Sequence, residues 1–367
     1  MKIRMNSADL YKAITTVNRA LPSRTGTVND NILVETTDDG VRFTCTNGQW
    51  TIRTCTACEI EEEGAVLIPG KLATDVTRLL PAGDVNIAVS DQMEVTFRTQ
   101  KGRTSMGGAY ASDFPKIEEI TEGATFILPQ NKMKDMLGKV YFAIATDEIR
   151  QILTGGYMEI SRECTTVVGL DGYRLAVMKA YGEYDIGEKE TIHTIVPGRV
   201  ISELSKMLED TDKPVTFVLQ QNHVKITMDN VEMFCQVLTG EYINYRQILP
   251  KDYTTALTVD RASLQRAIER AVIVSTNKLI RLRLEDGTVV VSANADAGNM
   301  TEEIPAAIDG KNLSIAFNGQ YLLDVMRVIS DDELHIHFNS NVSPCVFCPK
   351  EGDEYMYLVL PVRVAGQ

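Results

Sequence analysis

Three stretches of this chain repeat one pattern, and their separation constrains the fold more than any other feature. Ala65–Ser90, Thr194–Gln220 and Leu313–Ser340 each read as a short apolar strand, a small turn, an amphipathic helix, a polar turn and a second strand. In the helices the apolar residues follow the spacing of one helical face. They are Leu72, Val76 and Leu79 in the first copy and Val200, Leu204, Met207 and Leu208 in the second. In the third they are Leu322, Val325, Met326 and Ile329. The copies start more than a hundred residues apart, so the repeated unit is a domain and not one turn of a solenoid.

A second repeated element precedes each copy. Lys2–Ala20, Thr125–Ala143 and Ala256–Val274 each read as a strand running into a helix, with Ser7 and Asp260 as N-cap candidates in the first and third. Between the two helices lie hairpins: Ile32–Thr37 and Val41–Asn47 flank Asp38-Asp39-Gly40, and Leu282–Glu285 and Val289–Ala293 flank Asp286-Gly287. Tyr157–Ser161 and Thr166–Leu170 are the middle counterpart. The 367 residues therefore divide into three tandem α+β domains, 1–122, 123–250 and 251–367, each with two helices on roughly eight strands of antiparallel sheet.

Several classes of chemistry are excluded. Met1–Leu10 lacks the apolar core of a signal peptide, and no apolar run is long enough to cross a membrane. Seven cysteines without a secretory signal predict a reducing cytoplasm. Gly64–Leu72 resembles a phosphate-binding loop, but five residues separate its glycines where four are needed, and Leu72 stands where a hydroxyl is required. Cys55–Cys58 and Cys345–Cys348 are two C-x-x-C pairs nearly three hundred residues apart in strand-like sequence. Residues i and i+3 of a strand face opposite sides, so buried free thiols are expected rather than a metal site. His335 and His337 share one strand face, for which a solvated or cross-strand role is expected. Glu118-Glu119 and Asp331-Asp332 read as solvated turns, and Glu59, Glu61, Glu62 and Glu63 as an acidic edge. No catalytic residue, metal ligand or cofactor motif emerges.

Charge is the positive clue. The chain carries −13 overall, yet the six helical windows (7–20, 71–80, 130–142, 198–208, 260–274 and 319–329) hold 13 Lys or Arg against seven Asp or Glu. They are thus +6, and the remainder is −19. Lys12, Arg19, Lys71, Arg78, Lys132, Lys134, Lys139, Arg199, Lys206, Arg261, Arg266, Arg270 and Arg327 supply the positive charge. A basic face built of repeated helices suits the phosphate backbone of nucleic acid, and no base-reading motif accompanies it, so binding is expected to be independent of sequence. Ordinary solvated helix faces are the competing reading.

Asp171–Ala176 (D-G-Y-R-L-A), Gly240–Pro250, Phe317–Val325 and Tyr357–Val364, with Asp113-Phe114-Pro115 closing the first third, together resemble the bacterial β sliding clamp family. The resemblance runs in order along the whole chain. It implies a head-to-tail homodimeric ring of six similar domains around duplex DNA, without catalytic activity, whose partners are the replicative DNA polymerase, the clamp loader and other proteins carrying short clamp-binding peptides. It places Arg24, Lys71, Arg199 and Lys206 toward DNA, to which the helical charge count adds Arg78, Lys132, Lys139, Arg266 and Arg270, and it puts Asp147 where the family has a glutamine near DNA.

It further implies a partner-peptide cleft between the second and third domains. From the second come Leu153, Leu170, Gly172, Tyr173, Arg174, Leu175, Ile243 and Ile248. From the third come Asn318, Tyr321, Val342, Pro344, Leu358, Leu360, Pro361, Val362 and Arg363. Arg174 and Arg363 are expected to grip the peptide backbone or a carboxylate. Tyr173, Ile243 and Gln247 replace a histidine, a proline and an arginine common in the family. For ring closure, Lys101, Arg103 and Met106 on one edge match Ile273, Val274, Glu302 and Glu303 on the other. Two alternatives stay open on the residues alone: a monomeric three-domain scaffold for acidic or peptide partners, and a metal-dependent hydrolase using the cysteine pairs or the two histidines.

Overall fold

The computed structural model describes residues 1–21, 30–147, 149–296 and 298–363. It divides into two compact units. The first comprises Met1–Gln130 with Leu208–Val237, the second Asn131–Met207 with Leu238–Gln367, so the middle third of the sequence contributes to both. Every strand pairing named below is antiparallel.

In the first unit, a five-stranded sheet runs in the order Glu59–Glu62, Lys2–Asn6, Asp84–Val89, Glu94–Arg98, Arg103–Gly107. An eight-stranded sheet runs Ala124–Pro129, Pro214–Leu219, His223–Met228, Val231–Gln236, Trp50–Thr56, Gly40–Thr46, Asn31–Thr37, Ala65–Pro69. Phe126 and Phe217 sit directly opposite across one rung with stacked rings 4.5 Å apart, the kind of pair that fixes register. The Asp38-Asp39 hairpin forms as expected, with Thr37 opposite Gly40. Gly40 is required there: its φ is +132°, and a Cβ would lie 2.3 Å from the Thr56 carbonyl oxygen. The acidic run is confirmed as an exposed edge, with Glu59 and Glu62 paired to Arg4 and Lys2.

Helices α1 (Ser7–Asn18) and α2 (Gly70–Arg78) pack together in this unit. Two expectations are corrected here. Asn6, not Ser7, caps α1: its Oδ1 accepts from the Ala8 amide at 2.9 Å, while Ser7 is the buried first residue of the helix. The α2 stripe is also misread, since Leu72 and Leu79 are 48% and 77% exposed. The inward face consists of Gly70, Ala73 and Thr77, small residues that permit close approach; a Cβ on Gly70 would meet Leu21 at 2.7 Å. Small residues at a tight helix contact carry no periodic apolar signal, so the sequence pattern selected the wrong face.

The second unit is built on one twelve-stranded sheet. Its order is Thr191–Pro197, Gly155–Ser161, Cys164–Leu170, Arg174–Tyr181, Tyr355–Val359, Cys345–Cys348, Glu333–Phe338, Thr255–Asp260, Gly298–Gly310, Thr288–Ala295, Leu279–Glu285, Leu313–Asn318. Helices α3 (Gln130–Val140, whose first residue falls in the other unit), α4 (Gly198–Met207), a short α5 (Tyr245–Ile248), α6 (Arg261–Val274) and α7 (Gly319–Val328) accompany it. The stripes of α4 and α7 are confirmed by the burial of Val200, Leu204, Leu322, Val325 and Met326, and Asp260 caps α6 through the Ser263 amide at 2.7 Å. Asp286 and Gly287 both adopt positive φ, 41° and 81°, the geometry a two-residue hairpin of right-twisted strands favours.

The cysteines depart in part from expectation. Cys45, Cys235 and Cys345 are buried, whereas Cys55, Cys58, Cys164 and Cys348 are only half-buried. Cys58 lies beyond the end of its strand, so the first C-x-x-C is not a single-strand pair. Burial pushes the thiols of Cys45 and Cys235 up to about 12. His335 contacts Thr258 across the strands at 3.1 Å, the cross-strand role expected, whereas His337 stacks at 4.0 Å on Tyr253, which precedes the neighbouring strand. Glu118 and Glu119 are exposed, as read, and Glu119 also pairs with Arg53 at 2.8 Å. Among the described residues, no group of three or more His, Cys, Asp or Glu is placed to hold a metal ion, and no helix is long and apolar enough to cross a membrane.

Candidate partner-peptide cleft and basic helices

The cleft grows from one rung of the twelve-stranded sheet. Leu170 lies opposite Leu175, Leu175 opposite Leu358, and Leu358 opposite Val346, so four adjacent strands set four apolar side chains in a row. The next rung adds Val168, Val177 and Met356. With Leu153, Ala145 and Tyr245 these residues, Met356 excepted, form one buried cluster, and Met356, Ile152, Tyr157, Tyr242, Ile243, Ile248 and Leu249 pack against it partly buried. Ile152, Val346 and Met356 leave no signal in the sequence pattern, because cross-strand register is not visible along one chain. Leu153, Leu170, Leu175 and Leu358 are therefore the floor beneath the surface rather than an open lining.

Above the floor, the tail that follows Tyr355–Val359 is held in place by backbone bonds. The Leu360 amide donates to the Tyr173 carbonyl at 2.9 Å, and the Val362 amide to that of Ala316 at 2.8 Å. Leu360, Val362, Arg363, Gly172, Tyr173 and Val342 are exposed, with Pro344, Pro361, Asn318 and Tyr321 half-buried. Tyr173 and Tyr321 face each other at 5.8 Å between ring centroids. The turn that presents Tyr173 is made by Asp171, whose Oδ1 accepts the amides of Tyr173 and Arg174 at 2.8 and 2.9 Å, with Gly172 at φ +91°. Asn318 caps α7 by accepting the Gln320 amide at 3.0 Å.

Arg174 does not reach outward as expected. Its Nε donates to Asp171 Oδ2 at 2.9 Å, its Nη1 pairs with Asp324, and its guanidinium lies 4.5 Å from the Tyr321 ring centroid and 5.3 Å from that of Phe142. Two carboxylates and two aromatic faces satisfy it within the fold. The D-G-Y-R spelling could have signalled the Asp171 turn; Asp324, 150 residues away, left no local trace.

Beside the cleft, the Tyr157 hydroxyl meets His193 Nδ1 at 2.7 Å and donates to Glu159 at 3.3 Å. Burial, with Glu159 alongside, pushes the Tyr157 phenol up to about 12. Burial would also raise Glu159, but the hydrogen bond and charge of Arg246 prevail and hold it below its ordinary value.

The basic residues project from helices. Lys71 and Arg78 are exposed in the first unit; in the second, Lys132, Arg199, Lys206, Arg266 and Arg270 are exposed and Lys139 is half-buried. Arg24 lies outside the described residues. Exposed Asp147 bonds its Oδ1 to the Ile149 amide at 3.2 Å. Several acids on these helices are matched by their own turn: Asp75 by Arg78 at 3.6 Å, Asp135 by Lys139 at 2.8 Å and Glu203 by Lys206 at 2.7 Å. Such pairs on a helix surface, each with at least one exposed partner, are weak, about 0.3–0.5 kcal/mol, and break readily for a phosphate.

Three family models match consecutive stretches: the N-terminal, central and C-terminal domains of the DNA polymerase III beta subunit, over residues 1–118, 127–244 and 246–363. The chain belongs to the DNA polymerase III beta-subunit family, the beta sliding clamps. The beta sliding clamp of Halalkalibacterium halodurans is 28% identical over 362 residues, 95% of each chain. That of Bacillus subtilis is 27% identical over 378 residues, 99% of this chain and all of the relative. The solved Bacillus subtilis clamp superposes with a TM-score of 0.95 at 27% identity, covering 99% of both chains. A Pseudomonas aeruginosa clamp solved with griselimycin gives 0.94 at 26% identity, covering 99% of this chain and 100% of the other.

Arg103–Gly107 is the outermost strand of its sheet. Among the described residues, those of Gly298–Gly310 up to Pro305 pair with Thr288–Ala295 alone, whereas Ala306–Gly310 pair with Thr255–Val259 alone. Lys101, Arg103, Ile273 and Glu303 are exposed, and Val274 and Glu302 are half-buried. Met106, expected at the edge, is buried within its own sheet. Alternation along a strand explains this: its neighbours Ser105 and Gly107 point out while Met106 points in. Glu302 and Arg270 bond each other at 2.5–3.0 Å, so residues assigned to the subunit joint and to DNA form one pair.

Proposed function

We propose that two copies of this chain close head to tail into a ring that encircles duplex DNA. The protein works as a DNA sliding clamp: it tethers the replicative DNA polymerase and other DNA-acting proteins, and topology rather than tight local contact keeps it on the duplex. The observation that carries this reading is the end-to-end match of three successive beta-subunit domains. Helices with net positive charge support it. They attract the phosphate backbone without reading sequence, and that attraction is screened enough to permit sliding. Domains 1–122, 123–250 and 251–367 are the repeating units of the ring. The protein is not an enzyme, needs no cofactor, and acts in the cytoplasm, where a clamp loader opens it.

Arg24, Lys71, Arg78, Lys132, Lys139, Arg199, Lys206, Arg266 and Arg270 face DNA in this reading. Partner peptides lie across Tyr173, Val342, Leu360, Pro361 and Val362, over the floor of Leu153, Leu170, Leu175 and Leu358. The binding of griselimycin by the Pseudomonas aeruginosa relative supports a ligand-accepting surface. The joint pairs the open edge at Arg103–Gly107 with the open half of Gly298–Gly310 of the second copy, with Lys101 and Arg103 meeting Glu302 and Glu303 around Ile273 and Val274. Unpaired edges invite such strand addition. The experiment is loading onto nicked circular DNA followed by linearisation: release on linearisation is expected, and equal retention on circle and linear DNA refutes encirclement.

A further inference from the structure

One carboxylate is shared by two arginines of very different setting. Asp324 lies in the middle of α7, and its Oδ2 takes the Nη1 of Arg174. Its Oδ1 accepts from Gln320 Nε2 at 2.9 Å and from Arg327 Nη1 at 3.3 Å. The Arg174 side chain is 13% exposed and lies against the Tyr321 ring, which in turn faces Tyr173 at the cleft rim. The Arg327 side chain is 54% exposed and sits in the last turn of the same helix, one of the basic residues that the helices carry.

The geometry points to Asp324 as a coupling residue that links DNA on the basic helix face to the readiness of the partner cleft, an inference that rests on the clamp reading above. Without DNA, three donors divide one carboxylate. A phosphate near Arg327 is a competing anionic acceptor at an exposed site, and the Arg327–Asp324 bond is the longest of the three. When Arg327 turns to phosphate, Asp324 is left to Arg174 and Gln320. Arg174 is largely shielded from water, so the strengthened pairing counts for more there. Tyr321 is then held more firmly, and a peptide meets a rim that is already ordered. DNA therefore tightens peptide binding, and by linkage the peptide tightens DNA binding by the same factor.

The test uses the full-length dimer and a fluorescein-labelled leucine-rich heptapeptide, chosen to match the apolar rim. Peptide Kd is measured with and without a short linear duplex at low ionic strength. A separately labelled duplex reports saturation. Because the Arg327 pair is exposed, the expected tightening is about two- to fivefold. Arg327→Gln, and independently Asp324→Asn, should bring the ratio to one at saturating duplex. An unchanged Kd in the wild type, or a ratio that survives Arg327→Gln, overturns the coupling. Leu360→Ala identifies failure of the cleft reading instead: peptide binding indifferent to it places the peptide elsewhere. In that event ¹⁹F resonance of 3-fluorotyrosine at position 321 decides the coupling, which requires a duplex-dependent shift present in the wild type and lost in Arg327→Gln.

Discussion

Leu358 and Leu360 stand two residues apart, and alanine should separate a residue that holds the cleft together from one that a partner touches. Leu358 is 2% exposed, opposite both Leu175 and Val346. Truncating it opens a cavity between strands and should lower stability by about 2–5 kcal/mol. Each kcal/mol corresponds to about 2–4 °C of Tm for a protein body of 150–250 residues. Leu360 remains 38% exposed in the free chain. Complete burial of a leucine side chain is worth about 1.5–3 kcal/mol, so the part left for a peptide to cover is worth about 0.6–1.1 kcal/mol. That is roughly threefold to sevenfold in Kd, a weakening rather than a loss of binding. Differential scanning calorimetry and peptide fluorescence anisotropy on both variants give the four numbers needed. A Leu360→Ala protein with unchanged Tm and unchanged peptide Kd would refute the assignment of the rim. A Leu358→Ala protein with unchanged Tm would refute the floor.

Other perturbations address the remaining surfaces. Ile273 is 83% exposed on α6, and Ile273→Asp should convert dimer to monomer at micromolar concentration by sedimentation velocity. Met106→Ala should instead lower Tm and leave the dimer intact, because that side chain is buried in its own sheet. Hydrogen bonds from Gln130 and Lys213 hold the Asp229 carboxyl below its ordinary value of 3.8. The stability it contributes is complete above that value and is lost as pH falls through the lower folded value. Asp229→Asn should therefore reduce Tm at neutral pH and converge with the wild type in acid; a constant difference across the acid range would count against this account. Arg199→Ala combined with Lys206→Ala should weaken duplex binding and shallow its salt dependence by about two phosphate contacts, read from log Kd against log salt.

Much of the architecture was legible along the chain. The three repeats, the paired helices and the hairpins at Asp38-Asp39-Gly40 and Asp286-Gly287 all formed, because periodicity and turn chemistry are local properties. The stripes of α4 and α7 were legible for the same reason, since long aliphatic side chains mark the buried face. On α2 that logic failed, because a close helix contact selects Gly70, Ala73 and Thr77 and leaves Leu72 and Leu79 outside.

By itself, then, the sequence determined which segments become strand or helix, how often the unit repeats, and that positive charge gathers on helices of an acidic chain. Only the tertiary structure decided which side chains meet. Leu170, Leu175, Leu358 and Val346 became one row through the register of four strands, and Asp324 reached Arg174 across 150 residues. It also decided that Arg174 supports the cleft from within and that Met106 is core. The physical reason is that periodicity records which face of an element turns inward, whereas partners across strands are fixed by pairing between distant segments, which no local pattern encodes.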